Sequence, residues 1–239
     1  MKKIVLLISL IQLVFSLKAE NIPWESGQVL NVFAPSGIKL RAMPSTEAEI
    51  LDIVHYGDVV TVINSFEFAE DKKDRIDWID GHWILVEYQG IAGYLFDGFL
   101  SNLDFPGTEA ELKNDGYSFA YALGAYFDRN FAFQRMLDST ESHQIYLLDH
   151  GIKVKRIHGD ASWNLWIELP EHKISDILNI MRGMIEYRNE RTQFEKSLIY
   201  IEGADGMVKK VKANLDNPVI IEKKQNGNIL VKASGLSSC

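Results

Sequence analysis

Between Gly37 and Leu100 the chain alternates short apolar, β-branched runs with tight-turn residues, and this stretch constrains the fold more than any other. Leu30, Val32 and Ala34 alternate before Pro35-Ser36-Gly37, and Ile38 and Leu40 alternate after it, so a chain reversal joins two half-buried strands. Pro44-Ser45-Thr46 stops the second strand. From Ile50 to Ile63 the residues are mostly β-branched and apolar, broken by Gly57-Asp58, which predicts two strands hinged at a tight turn. Trp83 to Glu87 makes another strand, Gln89-Gly90 a hairpin turn, and Gly93 to Phe96 the return. Five or six short strands in about 70 residues are too few for a two-sheet sandwich, whereas a small closed barrel seals its edges at that size.

Three ordered motifs carry a family resemblance: Gly37-Ile38-Lys39-Leu40-Arg41-Ala42-Met43-Pro44-Ser45, the Gly57-Asp58 turn, and Trp83 to Val86 followed by Gly90 to Tyr94. Together they resemble the bacterial SH3-like (SH3b) domain family from Gly27 to Leu103. Lys39 stands where the family pattern has Asn, and the loop from Phe66 to Gly81 is longer than the pattern's. The resemblance implies an SH3-like barrel that serves as a binding module of cell-envelope proteins, often attached to wall-cleaving enzymes.

Met1 to Ala19 has Lys2 and Lys3, an apolar run from Ile4 to Phe15, and small Ala19 at its end, the layout of a secretory signal peptide. The run is short of the roughly 20 residues a spanning helix needs. No cysteine follows it, so a lipoprotein anchor is not expected. Loss of Lys2, Lys3 and Lys18 would take the formal charge from −8 to −11. So acidic a surface repels nucleic acid and anionic membranes. The single cysteine, Cys239, forbids an intramolecular disulfide.

Glu67, Glu70, Asp71, Asp74, Asp77 and Asp80 lie in one loop with Lys72, Lys73 and Arg75. It lacks the Asp-x-Asp-x-Asp-Gly order of a calcium loop and its cations compete for the carboxylates, so a solvated loop is expected rather than a metal site. Asp104-Phe105-Pro106-Gly107-Thr108 marks a boundary, and Thr108-x-x-Glu111 has capping-box spacing for a short helix ended by Gly116. The aromatic run from Tyr117 to Leu137 fits neither the helical nor the strand period. Core packing explains it better than a sugar-binding platform.

Strand patterns return at Ile145 to Leu148, Ile152 to Ile157 and Trp163 to Leu169. Asp149, His150, His158 and Asp160 invite a metal or acid/base reading, but the two histidines fall at opposite ends of one strand, about 25 Å apart at ~3.3 Å per residue. Trp166 falls on the strand face opposite Trp163, Leu165 and Ile167, either under a helix or exposed. Ile174, Ile177, Leu178, Met181, Met184 and Ile185 form one apolar helical stripe. Strands follow at Ser197 to Glu202, Val208 to Ala213, Val219 to Lys223 and Ile229 to Ala233, divided by turn residues that include Asn226-Gly227.

The expected architecture is therefore mainly β and α+β. A signal peptide (1–19) precedes an SH3-like barrel (21–104) and a helix-bearing antiparallel sheet (110–239). No Gly-x-Ser-x-Gly, His-Glu-x-x-His, phosphate-loop or Gly-x-Gly-x-x-Gly motif occurs, and Cys239 has no histidine downstream to activate it, so no catalytic residues, metal or cofactor are expected. If Val86 faces the barrel interior, Trp83 and Leu85 point outward, beside Phe68, Trp78 and Asp80 of the long loop. That aromatic surface rimmed with acid would suit a peptide or amino-sugar ligand bearing a positive group, with packing against the second unit as the alternative. The expected function is an exported, non-enzymatic binding or adaptor protein whose partner is a wall component or envelope protein, with no nucleic acid and no membrane insertion. An inhibitor acting through the C-terminal unit is the alternative, ahead of an enzyme with an unrecognised site.

Overall fold

A computed structural model describes residues 24–64, 73–106, 119–159, 162–186, 191–215 and 217–236. The expected signal segment, Phe68, the Thr108 to Glu111 cap and Cys239 lie outside these residues. The described chain is mainly β, with two antiparallel sheets and few helices. Among the described residues no helix is long and apolar enough to cross a membrane.

The first sheet contains β1 (Val29–Val32), β2 (Ile38–Arg41), β3 (Ile50–Val54), β4 (Val59–Asn64), β6 (Ile79–Tyr88), β7 (Ile91–Phe96) and β8 (Leu100–Ser101), in the order β3-β2-β7-β6-β4-β1-β8, with β5 (Lys73–Ile76) paired to β6. Its core is built from the alternating residues that the sequence marks, among them Leu30, Val32, Leu40, Val60, Val62, Ile84, Val86 and Leu95. The expected closed barrel does not form. β8 is two residues long and pairs with β1 on one side, and no pairing between β8 and β3 joins the two ends of the sheet among the described residues. β3 remains an edge strand, with Ile50, Leu51 and Ile53 exposed.

The second sheet holds β9 (Phe133–Ser139), β10 (His143–Leu148), β11 (Lys153–His158), β12 (Ser162–Leu169), β13 (Leu198–Glu202), β14 (Val208–Ala213), β15 (Val219–Lys223) and β16 (Ile229–Leu236). Their order is β13-β14-β15-β16-β12-β11-β10-β9, so His150 and His158 flank β11 at its two ends. Helices α1 (Phe119–Asn130) and α2 (Ile174–Glu186) pack on this sheet, and the short α3 (Arg191–Ser197) follows. α1 comes from the aromatic run that fitted neither period. It buries Leu123, Tyr126 and Phe127 at helical spacing, so these aromatics serve packing.

α2 has two buried faces. Ile177, Leu178, Met181, Met184 and Ile185 join the core of the second sheet, as their stripe requires. Ser175, Asp176, Asn179 and Arg182 are also buried, although their spacing reads as a solvent face. They lie under the first unit: Asp176 accepts from Ser101 Oγ at 3.0 Å and from the Lys173 backbone N–H at 2.8 Å, and Asn179 Nδ2 donates to the Gly98 carbonyl at 3.1 Å. At Gly183 a Cβ would stand 2.8 Å from both Pro106 Cγ and the Tyr56 hydroxyl, so only glycine allows this approach.

At the centre of the junction lies Asp97, fully buried in the 3-10 turn Asp97–Phe99. Its carboxylate accepts from Trp24 Nε1 at 2.9 Å, from the His82 backbone N–H at 2.7 Å, and from Lys173 Nζ at 3.1 Å. Lys173 also lies over the Trp24 ring, 4.5 Å from its centroid. Gly81 makes room for the carboxylate, since a Cβ there would stand 2.6 Å from Asp97 Oδ1.

Two outcomes follow from this junction. Asp97→Ala leaves the Trp24 Nε1–H and the His82 N–H without their acceptor and takes the carboxylate from Lys173, which is partly exposed and keeps the residue 97 carbonyl at 3.3 Å, and is expected to cost about 2–4 kcal/mol in a urea titration. A loss below about 1 kcal/mol would show that the contact is dispensable. Burial, the largest influence on the His82 imidazole, holds it below its ordinary 6.5, so the fold favours the neutral ring. The unfolded chain protonates first as pH falls; stability is therefore complete above 6.5 and drains as pH drops through the lower folded-state value. Thermal midpoints recorded from about pH 7 to 5 should show this decline in the wild type and a flatter profile in His82→Gln.

Candidate functional site

The second half of the expected solvated loop is a β-hairpin. β5 pairs with the first residues of β6 in the register Lys73↔His82, Asp74↔Gly81, Arg75↔Asp80 and Ile76↔Ile79, leaving Asp77 and Trp78 as a two-residue turn. A polar segment as short as Lys73 to Ile76 carries little apolar periodicity, which is why the strand is not legible in the sequence.

The hairpin reaches the second sheet and is latched there. Arg75 Nε donates to Asp80 Oδ1 at 2.7 Å, while its guanidinium also binds the Glu202 carboxylate and the Gly206 carbonyl. The second oxygen of Asp80 accepts from the Val208 backbone N–H at 2.7 Å. Asp80 holds the Arg75 charge above its ordinary range, with Glu202 adding to it, so this cation is permanent. The two units meet at both ends of a cleft, at Asp97 behind it and at Arg75 in front.

The cleft has a volume of ≈ 570 Å³. One wall is the Pro35 to Gly37 turn with Lys39 and Arg41 of β2; the other is Arg182, Glu195 and Tyr200; Trp78, Trp83, Phe96 and Phe99 supply its aromatic surface. Asp77 and Trp78 hold φ angles of 51° and 64°, in the left-handed region. Glycine is the usual solution there, and a bulky residue carries strain of order 1–3 kcal/mol. The strain projects Trp78 from the hairpin tip, 56% exposed, with its inner face stacked on Tyr200 at 6.0 Å and 20° between planes.

Behind Tyr200 stands an ion pair. Arg182, only 5% exposed, donates through Nε and its Nη2 to Glu195 at 2.7 and 3.1 Å. Burial works against this charge, but Glu195 outweighs burial and leaves the guanidinium above its ordinary range. Burial pushes the Tyr200 hydroxyl up as well, so it stays a neutral phenol. On the opposite wall Arg41 Nη1 donates to the Ala48 carbonyl at 2.6 Å, whereas Lys39 is exposed and makes no ion pair among the described residues.

The structure thus brings Trp78 and Trp83 to one cleft and leaves Asp80 and Leu85 away from its lining. Asp80 spends both oxygens on the latch. Leu85 is half-buried on β6, paired across from Asn64 and Tyr94. Trp83 does not point outward as its alternation with Val86 implies: it is 7% exposed, packs edge-on against Phe96 at 6.0 Å, and donates through Nε1 to Asp74 at 3.0 Å. The buried side of β6 changes phase between Trp83 and Ile84, beside a bulge in β4 at Ile63, so both neighbours are buried. The residues that sequence reasoning missed, Lys39, Arg41, Arg182 and Tyr200, lie on three elements far apart in the chain; only the φ-strained turn bears a local sign.

One arrangement outside the cleft resembles an acid-base-hydroxyl row. His143 joins Asp138 through Nε2 at 2.8 Å and Thr140 through Nδ1 at 2.9 Å. Thr140 Oγ1 is taken by the backbone N–H groups of Ser142 and His143, and all three side chains belong to one exposed hairpin turn. The row staples the turn.

No protein family, curated protein or solved structure matches this chain. The two tryptophans separate by stability: Trp83→Ala removes a buried ring and its hydrogen bond to Asp74, and is expected to cost about 3–5 kcal/mol. Trp78→Ala should cost about 1 kcal/mol, because the ring is more than half exposed and loses only its stacking on Tyr200, while alanine keeps the Cβ and with it the left-handed strain. Guanidinium titrations of both variants test this contrast, and equal losses would contradict it.

Proposed function

We propose that this chain is an exported, non-enzymatic binding or adaptor protein whose N-terminal SH3-like unit, read as a departure from the closed SH3b barrel, captures a cell-envelope ligand. The observation that carries the reading is a strained turn holding Trp78 at the mouth of a two-sided cleft of ligand size. Pockets of this kind combine aromatic walls with a few polar groups that orient the guest.

The charge pattern alters the ligand expected from the sequence. Asp80 is withdrawn into the latch, and the cations of the cleft lining are Lys39, which makes no ion pair among the described residues, and Arg41 two residues along the same strand face, with the exposed carboxylate of Asp77 at the turn beside Trp78. A wall peptide or glycan fragment would lay a flat face on Trp78 and direct an acidic group at Lys39. Glu195 is already bound by Arg182 and Tyr200 is neutral, so neither opposes that charge, and the acidic group enters from the β2 side, away from the Asp77 carboxylate at the turn.

The inhibitor reading rests on a different feature, the edge strand β9, all seven residues of which are exposed, including Phe133, Met136 and Leu137. Such an edge can accept a strand from a partner. Cosedimentation with purified wall sacculi tests the cleft. The chain lacking residues 1–19 is expected to pellet, and Trp78→Ala and Lys39→Gln to lose at least tenfold in capture with little change in thermal midpoint. A wild-type chain that stays in the supernatant and instead co-purifies with one stoichiometric protein would favour the inhibitor.

A further inference from the structure

Among the described residues the second sheet is covered by helices on one face, and its other face is cationic in a protein whose formal charge is −8. Along β14, β16, β12 and β11 the inward residues Val211, Val231, Leu165, Ile167 and Val154 are buried, so their neighbours face outward. Those neighbours include Lys210, Lys212, Lys232, Lys155 and Lys153 against Glu222 and Glu168, with Asp138 at the β9 edge, where the row runs from Lys155 through Ile145.

The glutamates do not neutralise the face evenly. Glu222 takes Lys232 at 2.7 Å and Lys210 at 3.5 Å, and Glu168 takes Asn228 at 2.8 Å and Lys224 at 3.4 Å. Lys153, Lys155 and Lys212 make no direct ion pair among the described residues, Lys155 acting on Asp138 only at longer range. The ladder register places Lys212, Ile220, Lys232, Trp166 and Lys155 in one continuous row across the strands. Lysines therefore recur at every second strand, about 10 Å apart from an interstrand spacing of ~4.8 Å. Between them stand Ile220 and Trp166, the latter 39% exposed with Lys155 Nζ 4.7 Å from its ring centroid.

We infer that this row is a docking surface for an acidic polysaccharide, an extended chain of sugar rings carrying carboxylates. The occupant follows from charge complementarity and from what separates the charges. A row of lysines alone would suit any polyanion, but an exposed indole and an isoleucine between them offer apolar contact to sugar ring faces, which a polyol phosphate lacks. Duplex nucleic acid carries one charge per ~1.7 Å of axis, far denser than a lysine every 10 Å or so, and the acidic remainder of the protein repels it. The surface is independent of the cleft, whose residues belong to other elements.

The test uses the full chain and sodium polygalacturonate as probe, with neutral dextran and duplex DNA as comparisons, in affinity electrophoresis at low and moderate salt. Polygalacturonate should retard the wild type in a salt-sensitive manner and dextran should not. Lys155→Gln/Lys212→Gln is expected to weaken retardation at least tenfold and Trp166→Ala severalfold, both with the wild-type circular dichroism spectrum, while Trp78→Ala leaves it unchanged. The inference is overturned if the wild type is not retarded, if the double variant behaves as wild type, if Trp78→Ala or Lys39→Gln abolishes the effect instead, or if DNA retards the protein as strongly as polygalacturonate. Because Trp78 and Lys39 serve only the cleft, failure here leaves the sacculus experiment to decide the proposed function separately.

Discussion

The arrangement of the two sheets depends on one buried charge contact, Lys173 against Asp97. A carboxylate without solvent exposure is tolerated only when its lone pairs are filled, and here a tryptophan, a backbone amide and an ammonium fill them. Such a contact contributes less to net stability than to geometry, because any other seating of the two units would leave a desolvated charge unpaired. The polar stripe of α2 extends the same logic over about two turns. Asp176, Asn179 and Arg182 are each buried and each find a partner, so the helix is held on one face by apolar packing and on another by directional bonds.

With the rear of the junction set, the β5–β6 hairpin can bridge the front. β6 is long enough to serve two tasks: its later residues complete the first sheet, and its earlier residues pair with β5 in a ribbon that carries Arg75 and Asp80 to Glu202, Gly206 and Val208. The phase change at Trp83 and Ile84 lies where one task gives way to the other. Trp83 becomes a wall of the cleft with its edge tied to Asp74, while Trp78 at the tip remains accessible. The strained turn is maintained because pairing on one side and the latch on the other over-determine it.

Net charge describes this molecule poorly. Acids outnumber bases in the chain as a whole, yet several of them are consumed internally at Asp97, Asp176, Asp80 and Glu195. Among the described cations without an ion pair, Lys39 stands at the cleft mouth and Lys153, Lys155 and Lys212 on the open face of the second sheet. Lys39, Lys155 and Lys212 all project from strands whose alternate residues are core, so the pleat that builds the hydrophobic interior also aligns the exposed charges.

Much of the secondary structure is legible in the residues because it rests on local periodicity. The strands β10 to β16 and helix α2 stand within a few residues of their apolar patterns, since alternation and the i, i+3, i+4 stripe depend only on neighbouring positions. The turn chemistry of Gly57-Asp58 and Asn226-Gly227 is local in the same sense. What residues alone could not convey is whatever needs a second surface. The polar stripe of α2 has the composition of a solvated face and becomes buried only because the first unit covers it. Asp80 has the composition of a ligand-binding rim and is withdrawn because Val208 supplies an N–H to it across 128 residues of chain. Whether the first sheet closes is decided by pairing between its two ends, β3 and β8, which are not paired, and the cleft exists because β2, the β5–β6 turn, α2 and β13 converge. Local patterns select elements, whereas desolvation and pairing between distant elements decide which polar groups are buried and which remain for a partner.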